Sequence, residues 1–216
     1  MPFREVVQIP DLFEELDRST SRFGAIHPRT VDIVNRLAIA LWEEGDIRQA
    51  IDLLDQAIEA TASGGFDHNV RCDLLCTLGR IMAEQTRWDR AATIYRELLQ
   101  TCILRLGSDS ARTLAAKGDL AAVLFELGEA AEAAELERDA LESARDSLGR
   151  KHAATCVLAW NRAIRLENDG DGTAARAILD DLLWLLAAED STLETDHLAV
   201  KAMLSKRRGR ATAAAC

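Results

Sequence analysis

The residue types best able to do chemistry in this sequence are its four histidines and five cysteines. Imidazole can act as a general base or bind a metal, and a thiolate can act as a nucleophile. His27, His68 and His152 occupy one equivalent position just before three predicted helices. That recurrence indicates a role at the start of each helix and no catalytic role. His197 stands alone in the sequence, and we expect it on the surface.

Cys72 and Cys76 are four residues apart, so on a helix they would share one face and could in principle hold a metal. No histidine or second cysteine pair follows at a usable spacing. The sequence therefore predicts that these thiols are small buried hydrophobic groups. The odd number of cysteines and the lack of Cys-x-x-Cys spacing also argue against a disulfide framework and a zinc site.

Established catalytic motifs are missing from the sequence. It has no Gly-rich phosphate loop, no His-Glu-x-x-His and no Gly-x-Ser-x-Gly. Acidic pairs such as Glu43-Glu44 and Asp180-Asp181 fall at predicted helix ends and outer faces, where charge is solvated. We therefore expect no enzymatic activity, no catalytic or metal-binding residues and no cofactor.

The net charge of −10 disfavours nucleic acid as a partner, because such binders usually show a basic patch. A basic tail, residues 206–210, is the one exception, and it is expected to be a solvated chain end. The first ten residues carry Arg4 and Glu5 and do not resemble a signal peptide. No apolar run reaches the roughly 18 residues of a membrane span. The expected compartment is the cytoplasm, with no membrane partner, and the Arg and Ala bias favours a bacterial source.

An internal repeat organises the chain. Equivalent alanines at positions 50, 91, 133 and 175 are 41, 42 and 42 residues apart. In three repeats a glycine (Gly45, Gly128 or Gly170) ends the first helix of a pair, where a residue without Cβ adopts the left-handed conformation easily. Thr86 replaces that glycine, so we expect a less regular turn in the second repeat.

Small residues recur where the two helices of each pair should meet, so that the helices can approach closely. They are Ala38, Gly79, Ala121 and Ala163 on the first helices, and Ala50, Ala91, Ala133 and Ala175 on the second. Such a pair cannot bury its apolar face alone, and stacking on neighbouring pairs does so. The pattern predicts an all-α solenoid of about four helical hairpins with terminal capping helices.

These marks resemble the tetratricopeptide repeat, specifically its long, kinesin-light-chain-like type with a period near 42 residues. The ordinary repeat has about 34 residues. The resemblance rests on Gly45-Asp46 followed by Ala50, and on the linkers at His27-Pro28 and Leu148-Gly149. It covers about residues 24–187. HEAT and armadillo repeats have a similar period but do not explain the Gly-Asp turn with its following alanine.

Helix boundaries follow from these marks. A leading helix is predicted over residues 10–22, and the pairs over 28–43 with 47–61, 69–84 with 88–105, 111–126 with 130–147, and 152–168 with 172–187. A last helix over 192–207, with Ser191 or Thr192 as N-cap, is expected to cover the open end. The predicted organisation is an N-terminal arm and leading helix (1–23), a repeat array (24–190), and a cap helix with a basic tail (191–216).

The resemblance implies that the first helix of each pair lines a concave groove. Kinesin-light-chain-like relatives often hold a peptide backbone with asparagines there; here Asn35 matches, whereas Cys76, Gly118 and Trp160 depart from that pattern. The predicted partner-binding residues are Asn35, Arg36, Ile39, Trp42, Arg80, Asp119, Phe125 and Trp160.

Gly118 and Ala122 should leave a gap beside the aromatic groove residues, which suits an apolar anchor. Alternatively, these aromatics pack on neighbouring repeats or on the terminal helices. The first hypothesis for function is an interaction module that binds a protein or peptide. The second is a small-molecule sensor or accessory protein that uses the same groove.

Overall fold

The computed structural model describes residues 9–62 and 68–187, and in these two ranges the regular structure is entirely helical. The chain divides into two compact units, Met1–Arg105 and Leu106–Cys216. The described residues form α1 Ile9–Phe23, α2 Pro28–Glu43, α3 Ile47–Ala60, α4 His68–Glu84, α5 Trp88–Leu106, α6 Ala111–Glu126, α7 Ala130–Ser147, α8 Ala153–Asn168 and α9 Gly172–Ala187.

Each of these helices begins and ends within one residue of its predicted position. The all-α helical repeat fold is therefore confirmed. The helix predicted over 192–207, His197, the basic tail and Cys216 all lie outside the described residues.

Packing follows the repeat within each unit. In the first unit α1 contacts α2, α2 contacts α3, and α3 contacts α4. In the second unit α6 contacts α7, α7 contacts α8, and α8 contacts α9. The first helices of consecutive pairs also touch, α2 with α4 and α6 with α8. Neighbouring pairs thus bury each other's apolar faces, as expected of a helical repeat.

Histidine caps two of the first helices, as their recurrence predicted. His27 Nδ1 accepts a hydrogen bond from the backbone N–H of Arg29 at 3.2 Å, and His152 Nδ1 accepts one from Ala154 at 3.1 Å. Ser110 Oγ does the same for Thr113 at 3.1 Å. Each bond satisfies an N–H that the helix itself leaves unpaired.

A threonine three residues into each of these helices ties it to the chain before it. Thr30 Oγ1 lies 2.8 Å from Ser19 Oγ of α1. Thr113 Oγ1 donates to the carbonyl of Gly107 at 2.7 Å, and Thr155 Oγ1 donates to that of Ala144 at 3.3 Å. All three threonines are buried, so these bonds orient each hairpin against the preceding helix.

The expectation of a less regular turn at Thr86 was wrong. Thr86 adopts a φ of 55°, in the left-handed region that Gly45 occupies at 90°. The N–H of Thr86 bonds to the carbonyl of Ala83 at 2.9 Å, and the N–H of Arg87 bonds to that of Met82 at 2.9 Å. Gly45 and Asp46 make the same two bonds, so the hydrogen bonds of the turn hold the threonine in the conformation that glycine adopts freely.

The small residues predicted at the hairpin contacts are buried, and six of the seven alanines are at most 2% exposed. Gly79 shows why size matters there. A Cβ built at Gly79 would lie 2.8 Å from Cζ of Tyr95, a buried side chain of α5. The tyrosine ring thus lies against bare backbone of α4, and this position has no room for a methyl group.

Candidate binding sites

In the first unit the structure brings Trp42 and Arg80 together. The Trp42 indole N–H donates to Glu84 Oε2 at 3.1 Å, and the Arg80 guanidinium lies 5.1 Å from the centre of the Trp42 ring. Trp42 is half-buried and Arg80 is exposed. The indole is therefore held in place by two residues of α4, and the guanidinium on it can still reach a ligand.

Three other predicted residues of this unit have different surroundings. Arg36 pairs with Glu15 of α1, Nη1 to Oε1 at 3.3 Å, so its charge is already engaged. Asn35 Oδ1 is buried and has no hydrogen-bond partner within the described chain. Ile39 is half-buried. A buried amide oxygen without a partner costs free energy unless a ligand or water supplies a donor.

In the second unit Phe125 and Trp160 line one cleft between α6 and α8, with a volume of about 270 Å³. Its other lining residues include the exposed Ala122 and the half-buried Ile164. Trp160 also packs against the core cluster that contains Leu158 and Leu182. Each sequence-based alternative for this tryptophan therefore describes part of its environment: one side packs on the repeat core and another lines a cleft.

Gly118 and Ala122, which were predicted to leave a gap beside the aromatic residues, both line this cleft. The Leu158 side chain lies directly against Gly118, so closely that a Cβ there would overlap Leu158 Cδ2. The space directly opposite Gly118 is thus filled by leucine, and Gly118 and Leu158 both line the cleft. Asp119 is half-buried and is not among the residues that line this cleft.

The sequence did not predict the ion pair between Glu137 and Arg165, which lines one side of the cleft. Glu137 of α7 is only 8% exposed and accepts a bond from Arg165 Nε at 2.5 Å. Arg165 also binds Asp169 at 2.8 Å, and its guanidinium lies 5.5 Å from the centre of the Phe125 ring. The hydrogen bond to Glu137 is the main cause that raises the pKa of Arg165 above its usual range. The charge beside Phe125 is therefore permanent.

This ion pair gave little signal in the sequence. Glu137 and Arg165 lie on different helices, 28 residues apart, and neither falls on a repeat mark. A glutamate on the second helix of a pair usually faces solvent, but Glu137 is buried and pairs with Arg165 of α8.

The cysteines that are described behave mainly as buried side chains. Cys72, Cys102 and Cys156 are buried, and Cys76 is half-buried. The sulfurs of Cys72 and Cys102 are 3.7 Å apart. Burial, and to a lesser degree the Asp181 carboxylate, raises the pKa of the Cys156 thiol. A raised pKa lowers the thiolate fraction and with it the reactivity of the thiol.

Within residues 9–62 and 68–187, no three histidine, cysteine or acidic side chains come together as metal ligands. The same part of the chain contains no helix whose length and apolar character would let it span a bilayer.

Comparison with known proteins identifies the repeat. Residues 70–146, which extend from α4 to the end of α7, match the tetratricopeptide repeat family model. No curated protein sequence matches the chain.

Solved structures show the same fold. BtubC (BKLC) from P. vanneervenii superposes with a TM-score of 0.72 at 19% identity, over 98% of this chain and 91% of that one. A putative kinesin light chain with nearly identical TPR-like repeats from Podosopora anserina gives 0.68 at 18% identity, over 85% of this chain and 88% of that one. A variant of that protein gives 0.69 at 19% identity, with coverages of 83% and 85%. The predicted resemblance to kinesin-light-chain-like tetratricopeptide repeats is confirmed.

Proposed function

We propose that this chain is a non-catalytic interaction module, an adaptor or regulatory subunit, that binds a peptide or helix of a partner protein on the first helices of its pairs. Tetratricopeptide repeats generally serve as protein-interaction scaffolds, and the family match and the fold support that general role. The proposed compartment is the cytoplasm, because the cysteine pattern lacks a disulfide framework.

The observation that carries the proposal is the cleft between α6 and α8. A volume of about 270 Å³ with Phe125 and Trp160 in its walls suits one large apolar side chain of a partner. In the first unit the Trp42 indole with Arg80 above it provides an aromatic surface beside an exposed cation. A carboxylate of a partner suits Arg80, because a guanidinium group can bind both carboxylate oxygens.

Site-specific photo-crosslinking in the native organism tests the proposal. A photoreactive amino acid at Ala122, which is exposed and lines the cleft, should crosslink to a discrete partner. The matched control is the same amino acid at Ala131, which is exposed on the second helix of that pair. Crosslinks from Ala131 but not from Ala122 would mean that the outer surface is the functional one.

The recovered partner then permits a quantitative test. Trp160→Ala should weaken its binding by about 2 kcal/mol, as is common for a truncated aromatic anchor. Arg80→Ala should also weaken it, whereas Arg138→Glu on α7 should not. If both Trp160→Ala and Arg80→Ala bind the partner as tightly as the wild type does, the partner does not bind in the proposed groove.

The same cleft supports a second candidate, a small-molecule sensor or accessory protein. Its volume lies near the lower end of ligand pockets, and it combines aromatic walls with Arg165 and the polar Asn161 and Asn168. A panel of metabolites tested by thermal unfolding would reveal a ligand, since saturation at 100 times Kd adds about 2.7 kcal/mol of stability. A compound that stabilises the wild type but not the Trp160→Ala variant would favour this candidate.

A further inference from the structure

A second cleft lies in the first unit, between α1 and α2, and none of its lining residues is among those predicted to bind a partner. Its volume is about 600 Å³. Three arginines line it, namely Arg18, Arg22 and Arg29, together with Phe23 and the carboxylates of Glu15 and Asp32. All three arginines are exposed. A concentration of cations is unexpected on a chain whose net charge is −10.

Within residues 9–62 and 68–187, the three guanidinium groups are not used as ion-pair partners. None of them has a carboxylate of those residues within salt-bridge distance, and Glu15, which lines the cleft, pairs with Arg36. Arg18 Nε donates to the backbone carbonyl of Glu14 at 3.2 Å. Arg22 and Arg29 instead lie over the Phe23 ring, 5.0 and 5.6 Å from its centre. Their N–H groups can therefore bind an anion.

The aromatic ring between these cations is exposed yet held in position. Phe23 is 37% exposed, and its ring stacks on the His27 imidazole with centroids 4.8 Å apart and planes 25° apart. His27 is itself fixed as the N-cap of α2. Ile26, in the connection between the helices, is 52% exposed. Exposed apolar side chains rimmed by charge are typical of interaction surfaces.

From this arrangement we propose that the α1–α2 cleft is a second docking surface, which binds an acidic peptide segment of a partner protein. Carboxylates of the segment bind Arg22 and Arg29, whose planar guanidinium groups suit bidentate contact. An apolar side chain of the segment packs on Phe23. The residues that line this surface differ from those of the groove proposed above, and the two surfaces meet where Glu15 pairs with Arg36.

The acids in the cleft favour a peptide over nucleic acid, because a peptide also carries hydrogen-bond donors. A phosphate backbone carries one negative charge per nucleotide and has no backbone N–H donors that could pair with Glu15 and Asp32. A peptide offers backbone N–H groups that can donate to the Asp32 carboxylate, alongside the carboxylates that the arginines require. Its mixed polarity thus matches the cleft, whereas nucleic acid matches only the arginines.

Fluorescence anisotropy with a defined peptide tests the proposal. The probe is fluorescein-labelled Glu-Glu-Leu-Glu-Glu, and the reference is the same peptide with glutamine in place of glutamate. The full chain should bind the acidic peptide more tightly than the glutamine peptide, and salt should weaken the binding. The Arg22→Glu/Arg29→Glu double variant should lose roughly tenfold in affinity per guanidinium, as for charge-assisted hydrogen bonds.

The matched control is Arg138→Glu/Arg176→Glu, which makes the same change of charge at two exposed arginines on α7 and α9. It should bind the acidic peptide almost as the wild type does. Equal loss in both double variants would show that net charge alone controls binding and would overturn the proposal. So would equal affinity for the acidic and glutamine peptides, or tighter binding of oligothymidine than of the acidic peptide.

Discussion

Thr86 adopts the left-handed backbone conformation that a glycine adopts in the other three helix pairs. Thr86 has a φ of 55°, which a β-branched residue adopts only at a cost. Thr86→Gly should therefore raise the free energy of unfolding by about 0.5–1 kcal/mol, after allowing for the greater chain entropy of glycine when unfolded. Urea unfolding followed by circular dichroism would measure the change.

The reciprocal substitution provides the control for that prediction. Gly45→Thr places the same side chain in the equivalent turn, at a φ of 90° with no neighbouring atom within 4 Å of the added Cβ. It should destabilise the protein, because backbone conformation is then the main difference. A Thr86→Gly variant less stable than the wild type would show that the threonine side chain contributes more than the left-handed conformation costs.

His152 acts as a helix cap through one ring nitrogen. Because Nδ1 accepts from the Ala154 N–H, His152→Ala should lower the free energy of unfolding by about 0.5–2 kcal/mol. His152→Asn should retain most of the wild-type stability, since an asparagine side chain can accept the same bond. Thermal unfolding of the two variants measures the difference. If His152 does not act as a cap, His152→Asn should lower the stability as much as His152→Ala does.

At the scale of helices, close approach within a hairpin depends on the absence of one methyl group. Gly79→Ala raises helix propensity, worth about 1 kcal/mol, but puts Cβ 2.8 Å from the buried Tyr95 ring. Overpacking costs about 1–3 kcal/mol, so we expect a net loss of stability. Gly172→Ala, where a Cβ meets no atom within 4 Å, should be neutral or stabilising. If chemical denaturation found Gly79→Ala to be the more stable of the two variants, the close contact would not limit the size of this residue.

At the scale of the whole molecule, stability should be distributed over neighbouring repeats. The chain divides into two compact units, and within each unit the contacts between hairpins join neighbours along the chain, α2 and α3 with α4 in the first and α6 and α7 with α8 in the second. Gly79→Ala should therefore speed amide hydrogen exchange most in α4 and α5, and least in α8 and α9. Mass spectrometry of exchanged peptides measures this. Equal acceleration in every helix would indicate one cooperative unit instead.

The amino-acid sequence by itself determined the helices and the repeat. Helix boundaries depend on local hydrogen bonds, on caps such as His27 and His152, and on the turn at Gly45, all of which recur at a fixed spacing. The wrong prediction at Thr86 also has a local cause. Threonine does disfavour a positive φ, but the two hydrogen bonds of the turn stabilise that conformation here.

Only the tertiary structure decided which side chains meet. Leu158 fills the space opposite Gly118, and Glu137 pairs with Arg165. Both contacts depend on how far α8 is shifted along its axis relative to α6 and α7. Arg22 and Arg29 meet at Phe23 only because the connection between α1 and α2 turns back there. Such contacts do not recur at the 41–42-residue spacing of the repeat. A repeat pattern therefore places a residue on a helix face but does not specify the neighbour opposite it.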